Sequence, residues 1–129
     1  MKTIKVVGAI IVGGDGKIFA TQRGYGNLKG GWEFPGGKVE PFESDKEALI
    51  RELKEELDVV VEIERFFHMV DYQYEKFRLN MNCYICRITD GVPKLIEHSN
   101  AKWLGKGELK SVEWLPADIE VVDRIIDEL

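Results

Sequence analysis

Ser44-Asp45-Lys46-Glu47-Ala48-Leu49-Ile50-Arg51-Glu52-Leu53-Lys54-Glu55-Glu56-Leu57-Asp58 is the stretch whose reading decides the fold. Ser44 is a strong helix N-cap, because its hydroxyl can accept a backbone N–H of the first turn, and Glu47 three residues later completes a capping box. Leu49, Leu53 and Leu57 recur at four-residue spacing and form one apolar stripe. Asp58 ends the helix, and the β-branched run Val59-Val60-Val61 does not favour its continuation.

The same helix carries an unfavourable charge pattern. At about 100° per residue, with Glu52 at zero, Glu55 falls near about −60° and Glu56 near about +40°. The three carboxylates share one arc beside the leucine stripe, at the edge of the buried face. Glu52 and Glu56 repel at i,i+4 by ~0.2–0.5 kcal/mol. Glu55 and Glu56 also lie near the helix C-terminus, where the dipole disfavours each anion by ~0.3–1 kcal/mol. A hard divalent cation such as magnesium, which takes oxygen ligands, would reverse every one of these penalties. The helix alone leaves a solvated acidic face, eased by Lys46 and Lys54, as the alternative.

Upstream, residues 4–12 read as a strand, Gly13-Gly14-Asp15-Gly16 as a turn, and residues 17–22 as the returning strand of a hairpin. Arg23 leads into a polar Gly-rich loop, 24–31. Trp32-Glu33-Phe34 is a short extended piece ended by the breaker Pro35-Gly36-Gly37. Downstream, residues 59–67, 69–74 and 79–88 read as strands, with a turn near Glu75-Lys76-Phe77-Arg78, and 101–104 as a short strand around Trp103. Residues 116–129 form a second helix that buries Val122, Ile125, Ile126 and Leu129. The expected class is α+β, a mixed β-sheet core sandwiched between helices.

Composition sets limits on function. The chain of 129 residues suits a single domain, 1–129, able to bury about two-thirds of its unfolded surface. It is 44% hydrophobic and 32% charged, and no apolar run approaches the ~20 residues of a membrane span. The start, Met1 to Gly8, is basic and then apolar, but the apolar run Val6 to Val12 is short for a signal peptide and leads into a Gly-rich turn. It reads as a first strand, so a cytoplasmic protein without a membrane partner is expected. A net charge of −5 argues against a nucleic-acid polymer as partner, but not against a nucleotide. Cys83 and Cys86 stand in a Cys-x-x-Cys. No further ligand pair accompanies them, and residues three apart on a strand face opposite ways, so they read as inert strand residues. His68 and His98 are assigned no role.

From Gly37 the chain reads Gly, five residues, Glu43, seven residues, then Arg51-Glu52-Leu53-Lys54-Glu55-Glu56-Leu57-Asp58-Val59. This resembles the Nudix box, Gly-x5-Glu-x7-Arg-Glu-U-x-Glu-Glu-x-Gly-U with U aliphatic. Eight of the nine specified positions match. The ninth is Asp58 in place of Gly; Asp tolerates the left-handed conformation needed there, and no ligand position is altered, so the departure reads as neutral. Trp32 to Glu40 is similar to the MutT-like branch.

The resemblance implies a Nudix-like fold and a set of roles. Glu52, Glu55 and Glu56 would be the main metal ligands, joined by the Gly36 carbonyl. Arg51 would orient Glu52, and Gly37 and Glu43 would hold the box loop. Glu97, six residues before Trp103, matches a further site acid outside the box. The cofactor would be magnesium, with manganese able to serve. The reaction would be attack of water on a nucleoside triphosphate, giving a monophosphate and pyrophosphate, with an oxidised purine or a cytidine nucleotide as substrate. Either Glu52 or Glu97 could accept the proton, and Glu52 is preferred because Arg51 would fix it. Arg23 could grip a terminal phosphate, Tyr74 and Phe77 could stack a base, and Asp118 occupies the place of a base-reading residue. A monomer or homodimer is expected. The rivals are a Nudix hydrolase of ADP-ribose or dinucleoside polyphosphates, and a non-catalytic nucleotide-binding module.

Overall fold

The structure, a computed structural model, describes residues 2–129. Along the chain run strands β1 (Thr3–Ile11), β2 (Ile18–Gln22), β3 (Trp32–Glu33) and β4 (Gly36–Lys38), then helix α1 (Asp45–Leu57). Strands β5 (Val60–Gln73), β6 (Arg78–Asp90) and β7 (Asn100–Leu104) follow, then a 3-10 helix (Lys106–Ser111) and helix α2 (Pro116–Glu128).

Helix α1 forms for the expected reasons. The Ser44 hydroxyl accepts the Glu47 N–H at 3.1 Å, and the Glu47 carboxylate accepts the Ser44 N–H at 2.8 Å. Asp58 turns left-handed, with φ 55° and ψ 44°, and its N–H donates to the Lys54 carbonyl at 3.1 Å. Leu49, Leu53 and Leu57 are fully buried and pack on Val7, Ala9, Ile11, Tyr84 and Cys86.

Two sheets frame the molecule. One is four-stranded, in the order β4-β1-β6-β5, with β1 parallel to β6 and the other pairs antiparallel. This is the expected mixed sheet. The other is antiparallel and three-stranded, in the order β3-β2-β7. Strand β1 is buried on both faces, as its near-continuous apolar run requires. Val7, Ala9 and Ile11 point toward α1, while Ile10 joins a second core with Val70, Met81, Ile85, Trp32 and the α2 residues Val121, Val122 and Ile125. Cys83 lies in this second core and Cys86 in the first, so the two free thiols do face opposite ways. Burial pushes the Cys86 thiol up to about 12 and that of Cys83 well above its ordinary value, which keeps both unreactive.

Several local expectations are corrected. Residues 4–12 and 17–22 do not form a hairpin ladder; beyond the turn only Val12 and Ile18 bridge, and β2 leaves to pair with β3 and β7. A Gly-rich turn fixes where the chain reverses but not which strand the returning segment pairs with. Residues 59–67 and 69–74 are one strand, β5, bent by irregularities at Val60/Val61, Ile63/Arg65 and Phe66/His68. Those bulges broke its alternation into two apparent pieces. The breaker at 35–37 gives way at once to β4, whose Gly36 pairs with Gly8 and Gly37 with Val7. The 3-10 helix had no sequence signal. Among the described residues no helix is long and apolar enough to cross a membrane.

Candidate active site

A cavity of about 430 Å³ opens between α1, the edge of β4, the turn joining β5 to β6, and the start of α2. Its wall includes Arg23, Gly36, Gly37, Glu52, Glu55, Glu56, Tyr74, Phe77, Glu97 and Asp118. Ten side chains or backbone positions singled out from sequences far apart in the chain thus meet in one place. Arg51 and Glu43 do not line it; they stand behind it and hold its wall.

Arg51 is the hub of that support. Its Nε and Nη2 donate to the two Glu43 oxygens at 2.6 and 2.7 Å. Nη1 donates to Glu52 Oε1 at 2.9 Å and to Glu55 Oε2 at 3.2 Å, and Nη2 also reaches the Lys38 carbonyl at 3.1 Å. The fork on Glu43 is the bidentate geometry that only a guanidinium supplies. Glu43 in turn accepts the Glu40 N–H at 2.9 Å, which fixes the loop before the helix. The Arg51 hydrogen bonds, aided by that backbone N–H, hold the Glu43 carboxyl down to about 2.

The three carboxylates of α1 meet different environments. Glu55 is exposed and turned toward Arg51. Glu52 is mostly covered, and Glu56 is buried. Glu56 Oε2 has no hydrogen-bond partner. Burial, and after it the neighbouring Glu52, raises the Glu56 carboxyl well above the usual carboxylate range. Among the described residues, no three acidic, His or Cys side chains are drawn together tightly enough to form a closed ligand shell. Glu55 is paired instead with Arg51, at 3.2 Å. The donor set nevertheless fits a hard cation: all oxygen, an excess of negative charge, and one buried carboxylate oxygen without a partner.

Across the cavity the wall is aromatic and apolar. Tyr74 and Phe77 stack with centroids 5.1 Å apart, and the Tyr74 hydroxyl accepts the Ala117 N–H at 3.1 Å. This ties the β5–β6 turn to the start of α2. Asp118, in the first turn of α2, is only 4% exposed, and its Oδ1 accepts the Phe34 N–H at 3.2 Å. Burial first, then the charge of Glu33, raises its carboxyl well above the ordinary value.

Two wall residues had no role from the sequence. Glu33 accepts Arg23 Nη1 at 3.0 Å, and its charge is felt by both Glu56 and Asp118, so it stands between the two halves of the cavity. The clue was its position between the buried Trp32 and Phe34, which turns it to the opposite face of an extended segment. His98 has a side chain 6% exposed, with Nε2 3.6 Å from Glu33 Oε2 and Nδ1 buried without a partner. No local pattern distinguished it. His68, by contrast, lies away from the cavity and contacts Glu120. The Arg23 guanidinium, besides its bond to Glu33, lies 5.3 Å over the Tyr25 ring.

Comparison with known proteins gives the same picture. The chain is 36% identical over 126 residues to the CTP pyrophosphohydrolase of Escherichia coli strain K12, spanning 95% of this chain and 91% of that protein. It is 30% identical over 128 residues to the 8-oxo-dGTP diphosphatase of Haemophilus influenzae, spanning 98% and 94%. Its fold matches the crystal structure of a MutT NUDIX hydrolase from Burkholderia pseudomallei with a TM-score of 0.88, at 25% identity, covering 97% of this chain and 99% of that one. The family model of the NUDIX domain matches residues 2–124, so the chain belongs to the Nudix family and is a hydrolase of the MutT-like kind.

Proposed function

We propose that this hydrolase cleaves a nucleoside triphosphate, of oxidised purine or cytidine type, to the monophosphate and pyrophosphate. The observation that carries this reading is the two-sided cavity. Carboxylates from α1 line one wall, while Tyr74, Phe77 and Asp118 line the other. A nucleotide has the matching asymmetry: a polyanionic tail that needs a cation between it and the carboxylates, and a flat base with hydrogen-bonding edges. The names of the relatives, which act on CTP and 8-oxo-dGTP, support the same substrate class.

Glu52, Glu55, Glu56, Glu97 and the Gly36 carbonyl would hold magnesium, or manganese in its place. Bound there, the ion would supply charge neutralisation for the phosphate oxygens and lower the pKa of a water. Glu52 accepts the proton of the attacking water, and Arg51 keeps its carboxylate oriented for that task. Arg23, anchored on Glu33 through one N–H, has further donors to offer a terminal phosphate. Tyr74 and Phe77 form a stacked aromatic wall for the base, and Asp118 presents a carboxyl to its edge.

The decisive experiment is pyrophosphate release, with and without magnesium. The panel comprises ordinary, oxidised and methylated nucleoside triphosphates, ADP-ribose and dinucleoside polyphosphates. Magnesium-dependent turnover with the highest kcat/KM on a triphosphate is expected. A higher kcat/KM on ADP-ribose or a dinucleoside polyphosphate would replace the substrate assignment, and no cleavage of any compound would favour a binding module.

A further inference from the structure

Asp58 is the one position where this chain departs from the box pattern, and its carboxylate is fully engaged. Oδ1 accepts Lys54 Nζ at 2.9 Å, and Oδ2 accepts Lys94 Nζ at 3.2 Å. Lys94 belongs to the segment between β6 and β7, which also carries Glu97. That segment lies along the C-terminal end of α1. The Lys94 N–H donates to the Leu57 carbonyl at 2.9 Å, and the Ile96 N–H to the Glu56 carbonyl at 3.3 Å. These are carbonyls that a helix end leaves without intrahelical partners. Gly91, at φ 91°, lets the segment start this close, since a Cβ there would lie 2.8 Å from the Asp58 carbonyl oxygen. On its far side the segment is tied to β2, where the Ser99 N–H donates to the Gln22 carbonyl at 3.0 Å. Glu97 is therefore suspended between two anchors, one at the end of α1 and one on β2.

We propose that Asp58 is a positioning residue: through Lys94 it fastens the segment bearing Glu97 to the end of α1 and sets where Glu97 stands relative to Glu56. Glycine at 58 would suit the left-handed backbone at least as well, but it offers no anion to Lys94. The substitution that looks neutral for the helix thus supplies a cross-link between two parts of the site. The inference rests on the reading of Glu97 as a site residue.

The test pairs Asp58→Gly, Lys94→Gln and Lys94→Arg with Glu97→Gln, measuring amide hydrogen exchange at Lys94 and Ile96 in the free protein, then kcat, KM and Tm. Asp58→Gly is expected to leave Tm unchanged or raised. It should speed exchange at both amides and lower kcat about two- to five-fold, the range an exposed ion pair can supply, with little change in KM. Lys94→Gln should match it in exchange and kcat, and Lys94→Arg, which keeps the cation, should stay close to wild type in both. Unchanged exchange in Asp58→Gly and Lys94→Gln would overturn the fastening. Faster exchange with unaltered kcat, in a protein whose Glu97→Gln variant is impaired, would overturn the positioning role. Normal turnover in Glu97→Gln would instead remove Glu97 from the site and the positioning role with it, while the exchange data would still report whether the segment is fastened.

Discussion

Gly37 stands against Glu52 so closely that a methyl group on its α-carbon would lie 2.4 Å from the Glu52 carboxyl carbon. The clash falls on the free end of a flexible side chain, not on backbone, so the fold can yield by moving the carboxylate. In Gly37→Ala, kcat is expected to fall by up to about 10²-fold, as a displacement of about 1 Å at a reacting group can cause, with a far smaller change in Tm. Undiminished turnover in this variant would show that the position of Glu52 does not matter.

Glu52→Gln keeps the shape of the side chain and removes its charge. If Glu52 accepts the proton of the attacking water and also holds the cation, as proposed, kcat drops on the order of 10²–10⁴-fold or more, because both roles would be weakened together. Circular dichroism and Tm should remain close to wild type. Turnover near that of the wild type would overturn the assignment and move attention to Glu97.

Arg51→Lys retains a positive charge but cannot span both Glu43 oxygens while reaching Glu52. Loss of such an orienting partner is expected to cost about 10–100-fold in activity. Arg51→Ala tests the pH dependence. The folded Glu43 carboxyl lies at about 2, below its unfolded value near 4.5, so the stability it contributes is present above that value and is lost as pH falls from about 5 toward 2. Wild-type Tm should decline through that window more steeply than the Tm of Arg51→Ala. Parallel pH profiles would show that the pair adds nothing.

Asp118 has the opposite sign. Burial raises its folded carboxyl above the unfolded value, so its contribution is fully present below about pH 4 and is lost as pH rises through the folded value. Asp118→Asn keeps an oxygen for the Phe34 N–H and carries no charge. The Tm of this variant should therefore gain on that of the wild type as pH rises from about 4 to 8. A gap that stays constant over this range would argue against a strained carboxyl at this position.

How much of this was legible in the sequence depended on the range of the interactions. The capping box of Ser44 and Glu47, the leucine stripe and the arc that Glu52 shares with Glu55 and Glu56 rest on separations of three or four residues. Helical periodicity alone sets their geometry. The fixed spacing from Gly37 to Val59 likewise singled out Glu43, Arg51 and the three carboxylates of the helix. The tertiary structure decided the rest. Only the parallel pairing of β1 with β6 and the departure of β2 to a second sheet bring Arg23, Tyr74, Glu97 and Asp118 to the same cavity as Glu52. Those contacts join residues tens of positions apart, and alternation along a strand fixes which face a residue takes, not which strand lies beside it. For the same reason the pairing of Arg23 with Glu33 and the burial of His98 left no local trace. Asp58 needed both: its left-handed helix end is a property of the local sequence, and its hold on Lys94 exists only because the fold lays residues 91–96 against that end.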